Sequence, residues 1–323
     1  MRILALQLKR IGDLVLTTPA LATLKAILGA NLTLAVDQGT AGLLPAIPNI
    51  DAAIVFGRGR GWAPWQQVLT GQYDAVYDFT GTDRSASATA LSRADSRTTF
   101  QWVKKKRLRS LAYNCFVESS VRERHTVDHY LDLTTASVPI QATDGAPRLQ
   151  VAQETREAGP YAILHPGTAR PEKFWLADRW VELARHLIEK HGLRVIITTG
   201  PADLERGHAA RIQSAIRKPE SAVATPANLC AFATLLAHAA VVVSVDTAAV
   251  HLAAAFRRPQ IALFGPTNPF HWRPRHDGAV VISASQADTP MVDFSPRMKG
   301  ASMDRIPVST VIQAIDTVLP LSA

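Results

Sequence analysis

The sequence predicts an α/β protein of two doubly wound halves, each a parallel sheet flanked by helices, with the two sheets facing a central cleft. Three observations carry this prediction. Short β-branched apolar runs alternate with helical stretches along most of the 323 residues. Polar residues collect where a strand ends and a helix begins. The segment from Gln141 to Pro160, rich in Pro, Gly and mixed polar residues, divides the chain into residues 1–150 and 151–323. In the first half, strands are expected near Ile3–Leu8, Leu32–Val36, Ala52–Phe56 and Ala75–Phe79, followed by a long basic region from Arg93 to Arg109. In the second half they are expected at Ala162–Leu164, Arg194–Thr198, Ala222–Ala224, Val241–Val245 and Gln260–Phe264, with helices between them and a last helix over about Ser309 to Leu319.

Three strand ends carry chemistry. The first strand runs into Lys9-Arg10-Ile11-Gly12-Asp13, and Thr17-Thr18-Pro19 opens a helix to about Leu28, so that a Gly-Asp turn places a carboxylate at the mouth of the fold. Ala162–Leu164 runs into His165-Pro166-Gly167-Thr168, then Lys173-Phe174-Trp175 and a helix from about Ala177 to Lys190. Glycine there admits a phosphate close to the backbone, threonine offers a hydroxyl and lysine a point charge. Val241–Val245 ends at Asp246-Thr247, before an Ala-rich helix bearing His251. Such edges bind ligands because helix N-termini present N–H groups there, and nucleotide phosphates suit them. Plainer roles exist: Asp246, Thr247 or Asp13 can cap a helix, and His251 can be a hydrogen-bonded core histidine.

Composition describes an ordinary globular chain, 47% apolar and 19% charged, with material for two cores. Cys115 and Cys230 lie far apart in sequence, which argues against a disulfide framework and for a reducing cytosol. The start of the chain lacks the apolar core and cleavage site of a signal peptide. Ser221 to Val245 contains no Asp, Glu, Lys or Arg, yet Pro226 and Asn228 announce a helix, and the composition turns to that of a strand at Val241, so a buried helix and strand are expected rather than a membrane span. Gly57-Arg58-Gly59-Arg60-Gly61 lacks the spacing of a dinucleotide fingerprint. No phosphate-binding Gly-Lys-Ser/Thr ending, zinc-spaced His/Cys cluster or G-x-S-x-G elbow is present.

These blocks, in this order, resemble glycosyltransferase family 9, the lipopolysaccharide heptosyltransferases. The resembling residues are Ile11 to Leu21, His165-Pro166-Gly167 with Lys173-Phe174-Trp175, Asp246-Thr247 with His251-Leu252-Ala253, and Phe264-Gly265-Pro266-Thr267. Weaker echoes are Asp78 to Gly81 with Arg84-Ser85-Ala86, and His125 to Leu133. The resemblance implies the GT-B architecture, in which the last helix can fold back across the first half, with ADP-heptose as donor and the lipopolysaccharide inner core as acceptor. It also implies an inverting transfer without metal or other cofactor, on the cytoplasmic face of the inner membrane. In that chemistry a carboxylate, Asp13, takes the proton of the acceptor hydroxyl, and helix N-termini with Lys173 stabilise the departing diphosphate. The donor site is expected to comprise Gly167, Thr168, Lys173, Asp246, Thr247 and His251, with Glu205 on the ribose hydroxyls and its neighbour Asp203, of the same chemistry, as the alternative.

Two departures stand out. Ala248 replaces the family's usual glycine after Asp-Thr, so either the backbone there avoids positive φ or the donor sits differently. Cysteines common near the family's C-terminal end are absent between Asp288 and Met303. The net charge of +8 favours anionic partners, and without a nucleic-acid module an anionic glycolipid on a membrane leaflet fits better. Arg10, Arg84 and Lys104, Lys105, Lys106 and Arg107 are the expected acceptor contacts, although the basic run can equally be a solvated face. Other nucleotide sugars, an epimerase or hydrolase of the same architecture, and a non-catalytic binder remain open alternatives.

Overall fold

The computed structural model describes residues 1–135, 145–152 and 159–319. Much of the expected boundary, 141–144 and 153–158, lies outside the described residues, and the chain divides into two compact units, Met1–Gln150 and Val151–Ala323. The first unit runs β1 (Arg2–Gln7), α1 (Ile11–Leu28), β2 (Asn31–Asp37), β3 (Ala52–Phe56), α2 (Ala63–Thr70), β4 (Ala75–Asp78), α3 (Asp83–Ser92), β5 (Ser96–Phe100), α4 (Arg107–Ser110), β6 (Cys115–Val117) and α5 (Thr126–Thr135). The second runs β7 (Tyr161–His165), α6 (Ala177–His191), β8 (Arg194–Thr198), α7 (Asp203–Ile216), β9 (Ser221–Ala224), α8 (Leu229–Ala237), β10 (Val241–Val245), α9 (Ala248–Ala255), β11 (Gln260–Phe264), α10 (Pro269–Trp272), β12 (Ala279–Ser283) and α11 (Val308–Val318).

Both sheets have six strands and every strand pairing is parallel, in the orders β3-β2-β1-β4-β5-β6 and β12-β11-β10-β7-β8-β9. Helices on both faces bury the central strands completely, so β7, β10 and β11 are near-continuous apolar runs. Strand order reverses between β1 and β4 and between β7 and β10, the switch points at whose carboxyl ends the loops of an open α/β sheet part to form a crevice.

The second unit's core is built around Trp175 and Trp180, both fully buried and edge-to-face at 5.1 Å. Trp175 Nε1 donates to Ile306 O at 2.9 Å, tying the loop after β7 to the chain that enters α11. Helix α11 packs Val311, Ala314 and Ile315 into this same core. Truncating a core tryptophan costs about 3–5 kcal/mol, against about 0–1 kcal/mol for an exposed ion pair such as Arg170–Glu172. Trp175 therefore sets the path of the Lys173 loop.

Several elements depart from expectation. Strand β5 lies inside the basic region, where Arg97 turns aside to donate to the carbonyls of Ala94 and Ala112. Strands β6 and β12 were not anticipated. The largest correction concerns α1, which begins at Ile11 rather than at Thr17, so Gly12 and Asp13 belong to its first turn and Pro19 to its interior. Proline at position 19 cannot donate to the Val15 carbonyl four residues back. The Thr18 hydroxyl does so instead, at 2.7 Å, while accepting the Arg148 N–H at 3.0 Å. Thr18→Val removes both bonds inside a buried environment and should destabilise the protein by about 1–3 kcal/mol, read as a lower Tm in thermal melts; an unchanged Tm would mean that Pro19 is accommodated by other means.

Candidate active site

The crevice between β7 and β10 gathers most of the expected donor residues. Beyond β7, the backbone passes Gly167 and Thr168 to a 3₁₀ turn, Pro171–Lys173, while Trp175 anchors its far end in the core. Phe174 stacks on His208 at 4.6 Å. Lys173, at the end of the 3₁₀ turn, reaches across to the end of β10, where Nζ donates to Asp246 Oδ2 at 2.6 Å and to Asp246 O at 3.1 Å. The two side chains are 12% and 9% exposed. Burying such a pair contributes little to stability, because desolvation offsets the attraction. It sits at a strand end beside the N-terminus of α9, the edge at which open α/β sheets bind ligands.

Thr247 is the N-cap of α9, its Oγ1 accepting the Ala249 N–H at 3.3 Å and lying 3.2 Å from Ser244 Oγ. The capping role belongs to Thr247, which leaves Asp246 to Lys173. Ala248 is the first residue of α9 and is absent from the positions with positive φ, so its methyl fits without strain. His251 is buried on the second turn of α9, 6.4 Å from the Trp272 ring.

Glu205, in the first turn of α7, is buried against two glycines. A Cβ at Gly167 would be in ordinary contact with it, but one at Gly200 would fall 2.2 Å from Glu205 Oε2. Gly200 thus makes room for the carboxylate at the end of β8, a role that only the three-dimensional contact discloses. His165 bonds Thr198 Oγ1 through Nδ1 at 2.8 Å, and burial pushes its pKa down to about 4. Glycine also decides the path after β11: a Cβ at Gly265 would meet Met303 Sδ, and one at Gly300 would meet the Pro266 backbone.

In the first unit, Asp13 stands in the first turn of α1 beside the end of β1, half-buried. The helix N-cap is Arg10, with no side-chain capping bond. Asp13 Oδ1 instead accepts the Tyr130 hydroxyl of α5 at 2.6 Å. Burial, reinforced by the Asp13 charge, pushes the Tyr130 pKa well above its ordinary value, so the phenol stays a donor. Tyr130 also packs edge-on against Phe79 at 5.7 Å, and Lys9 Nζ lies 5.8 Å from the ring centroid. The block from His125 to Leu133 contained this tyrosine, but only the fold reveals its partner.

Across the same crevice, the loop after β4 wraps a second carboxylate. Asp78 Oδ1 accepts the Thr80 and Gly81 N–H groups at 2.8 and 3.1 Å, and Oδ2 accepts Tyr113 Oη at 2.5 Å. Burial raises the Asp78 pKa against these bonds. Thr80 Oγ1 accepts the Leu8 N–H at 2.9 Å, stitching this loop to the one that carries Lys9 and Arg10.

The expected acceptor residues are spread along this edge rather than clustered. Arg10 is exposed. Arg84 is ion-paired to Asp37 at 2.6 Å. Lys104 and Lys105 end a 3₁₀ turn that follows β5, with Lys104 Nζ 4.9 Å from the Phe116 ring centroid; Lys106 and Arg107 follow, all four exposed. Arg58 and Arg60, in the exposed loop after β3, also lie beyond a strand's carboxyl end.

Comparison with known proteins identifies the family and the fold. Residues 62–301 match the model of glycosyltransferase family 9 (heptosyltransferase). Lipopolysaccharide heptosyltransferase 1 of Pseudomonas aeruginosa is 30% identical over 292 residues, covering 83% of this chain and 80% of that protein. Its counterpart in Salmonella typhimurium is 29% identical over 289 residues, covering 83% and 90%. The E. coli heptosyltransferase WaaC, solved with ADP-2-deoxy-2-fluoro heptose, superposes with a TM-score of 0.78 at 26% identity, covering 98% of this chain and 99% of that one. The doubly wound pair of sheets is the GT-B fold.

Two histidines give a pH prediction. His129, stacked on Phe100 at 3.8 Å, is pushed down to about 3 by burial and by Lys9 and Arg124, and His165 to about 4 by burial. The unfolded chain protonates these imidazoles first as pH falls, near their ordinary value of about 6.5. Stability is therefore complete above that pH and lost as pH falls toward the folded values. Tm should decline from pH 7 to pH 4.5, and long-range ¹H–¹⁵N spectra should show both rings neutral at pH 5.5; a protonated ring at that pH would contradict the assignment.

Proposed function

The chain belongs to glycosyltransferase family 9, the heptosyltransferases, and from that membership we propose that it transfers a heptose from ADP-heptose to the inner core of lipopolysaccharide. The observation that carries the reading is the disposition of charge at the two crevices: a half-buried carboxylate held by a phenol in the first unit, and a buried lysine–carboxylate pair at a helix N-terminus in the second. The first suits an acceptor hydroxyl and the second a nucleotide diphosphate.

In this mechanism Asp13 is the general base. Tyr130 fixes one carboxylate oxygen, and the other receives the acceptor hydroxyl proton as oxygen attacks the anomeric carbon from the face opposite the diphosphate, inverting that centre. The bond to the diphosphate breaks as the new C–O bond forms, and negative charge grows on the leaving oxygens. Lys173 and the N-terminus of α9, capped by Thr247, meet that charge without a metal ion. Gly167 and Thr168 line the phosphate path, Glu205 takes the ribose hydroxyls, and His251 and Asp246 shape the floor beneath the sugar.

The acceptor is a phosphorylated glycolipid, and the protein works peripherally at the cytoplasmic face of the inner membrane. Among the described residues no helix is long and apolar enough to cross a membrane. The exposed run Lys104 to Arg107 is followed by Leu108 and Leu111, which are 85% and 79% exposed. Each basic residue near an anionic leaflet contributes on the order of 1 kcal/mol, and the two leucines add apolar surface that can enter it. Arg10 and Arg84 complete the basic lining.

Mass spectrometry of products from a panel of nucleotide sugars and truncated core acceptors tests the activity, with heptose transfer from ADP-heptose expected; transfer only from another donor would overturn it. Asp13→Asn keeps the Tyr130 contact but cannot take a proton. It should fold with near-normal Tm, bind donor normally and lose at least roughly a hundredfold in kcat; retained turnover would move the base elsewhere. Lys173→Ala should instead weaken donor binding in the same titration, and unchanged affinity would remove the diphosphate from this edge. Neutralising Lys104, Lys105 and Lys106 together should raise the acceptor KM and flatten its salt dependence while sparing donor affinity. If neither acceptor parameter moves, the run is a solvated face.

A further inference from the structure

Away from the crevice of the second unit, the end of α6 and the end of α11 bring three metal-ligating side chains together. His186 Nε2 lies 2.8 Å, and His191 Nε2 2.9 Å, from the same oxygen, Asp316 Oδ1. Lys190 Nζ takes the other oxygen, Oδ2, at 2.7 Å. One ligand atom from each of the two histidines and the aspartate falls within 4.8 Å of the others. Helix α6 starts beyond the carboxyl end of β7 and delivers its last turn to the beginning of β8, so this cluster sits at the opposite edge of the sheet from Lys173 and Asp246.

We propose that His186, His191 and Asp316 form a binding site for a late divalent transition ion, with Zn²⁺ the best match. Two imidazoles and one carboxylate are a donor set that zinc accepts, with water in the open position. Zinc–ligand bonds of about 2.0–2.2 Å place tetrahedral neighbours roughly 3.3 Å apart, so each histidine–Asp316 contact needs to open by only about half an ångström. The two Nε2 atoms, within 4.8 Å of each other, come to the same spacing by side-chain rotation. The ion would replace two hydrogen bonds crowded onto one oxygen, and each Nε2 would present its lone pair with its proton on Nδ1.

The surroundings fit that occupant. Lys190 holds Oδ2 and leaves Oδ1 as a single, oriented ligand, the arrangement in which an outer partner fixes a ligating carboxylate. The last turn of a helix favours cations. His191 is 5% exposed and His186 18%, while Asp316 at 30% leaves a side open to water. A groove beside His186 is lined by Asp178, Glu182 and Glu189 together with Arg185, and Glu189 is ion-paired to Lys218 at 3.0 Å. Occupied, the site would staple the C-terminal helix to α6.

The test uses the full-length, tag-free chain stripped of metal, titrated with Zn²⁺ against a chromogenic chelator, with Co²⁺ absorption as a second readout of the ligand set. One equivalent per chain is expected, with a rise in Tm on zinc addition. His191→Gln and Asp316→Asn should each weaken zinc at least about tenfold and abolish the Tm rise, whereas His238→Gln, on a histidine outside the cluster, should change neither. Circular dichroism checks folding, and if Asp316→Asn fails to fold, His186→Gln carries the same expectation. Absence of binding by wild type at about 0.1 mM Zn²⁺, near −5.5 kcal/mol, or undiminished binding in the cluster variants, would overturn the proposal. The measurement is of binding alone, so its outcome is independent of the transfer reaction.

Discussion

Strands that all run the same way need a crossover for every pairing, and the crossover helices cover both faces of the sheet. Chemistry is thereby confined to the one place the helices leave open, the carboxyl edge, and it concentrates where the strand order reverses. In this protein the rule operates twice. Asp13 and Asp78 flank the crevice between β1 and β4, and Lys173 and Asp246 meet across the one between β7 and β10. The loops there are set by burial: Trp175 in the core fixes where Lys173 can reach.

The same edge treats its carboxylates differently. Asp78 is fully enclosed, its charge met by two backbone N–H groups and a phenol, and burial raises its pKa. Asp13 keeps a more open setting with one phenol on one oxygen. Enclosure makes Asp78 a builder of the loop, whereas Asp13 retains an oxygen with which to do something else. The contrast could not be read from two Asp residues following two strands.

What was legible beforehand had local causes. Strand β8 and helix α8 could be placed because a β-branched run and the N-capping Asn228 act within a few residues. The polar strand ends were legible for the same reason. Helix α1 was misplaced because Pro19 normally marks a first turn, and the hydroxyl that excuses it belongs to a threonine whose rotamer is not a sequence property. Strand β5 was hidden by Arg93 and Arg97, the latter anchored on loop carbonyls, and β6 is only three residues long. Tyr130 acts through a partner 117 residues away, beyond any window of spacing, whereas Gly200 stands close in sequence to Glu205 but acts through a packing distance that spacing does not give.

The ion pair of Lys173 and Asp246 has one more consequence. The ammonium already has a counter-ion of its own, so an anion arriving at this edge enters an exchange rather than a vacancy. Its affinity measures the difference between two carriers of negative charge competing for one cation. A weakly charged ligand gains little from such an exchange, while one whose charge grows during the event gains most at the moment of greatest charge. On the proposed transfer, the resident carboxylate would make the gain in attraction largest for a ligand whose negative charge is at its peak.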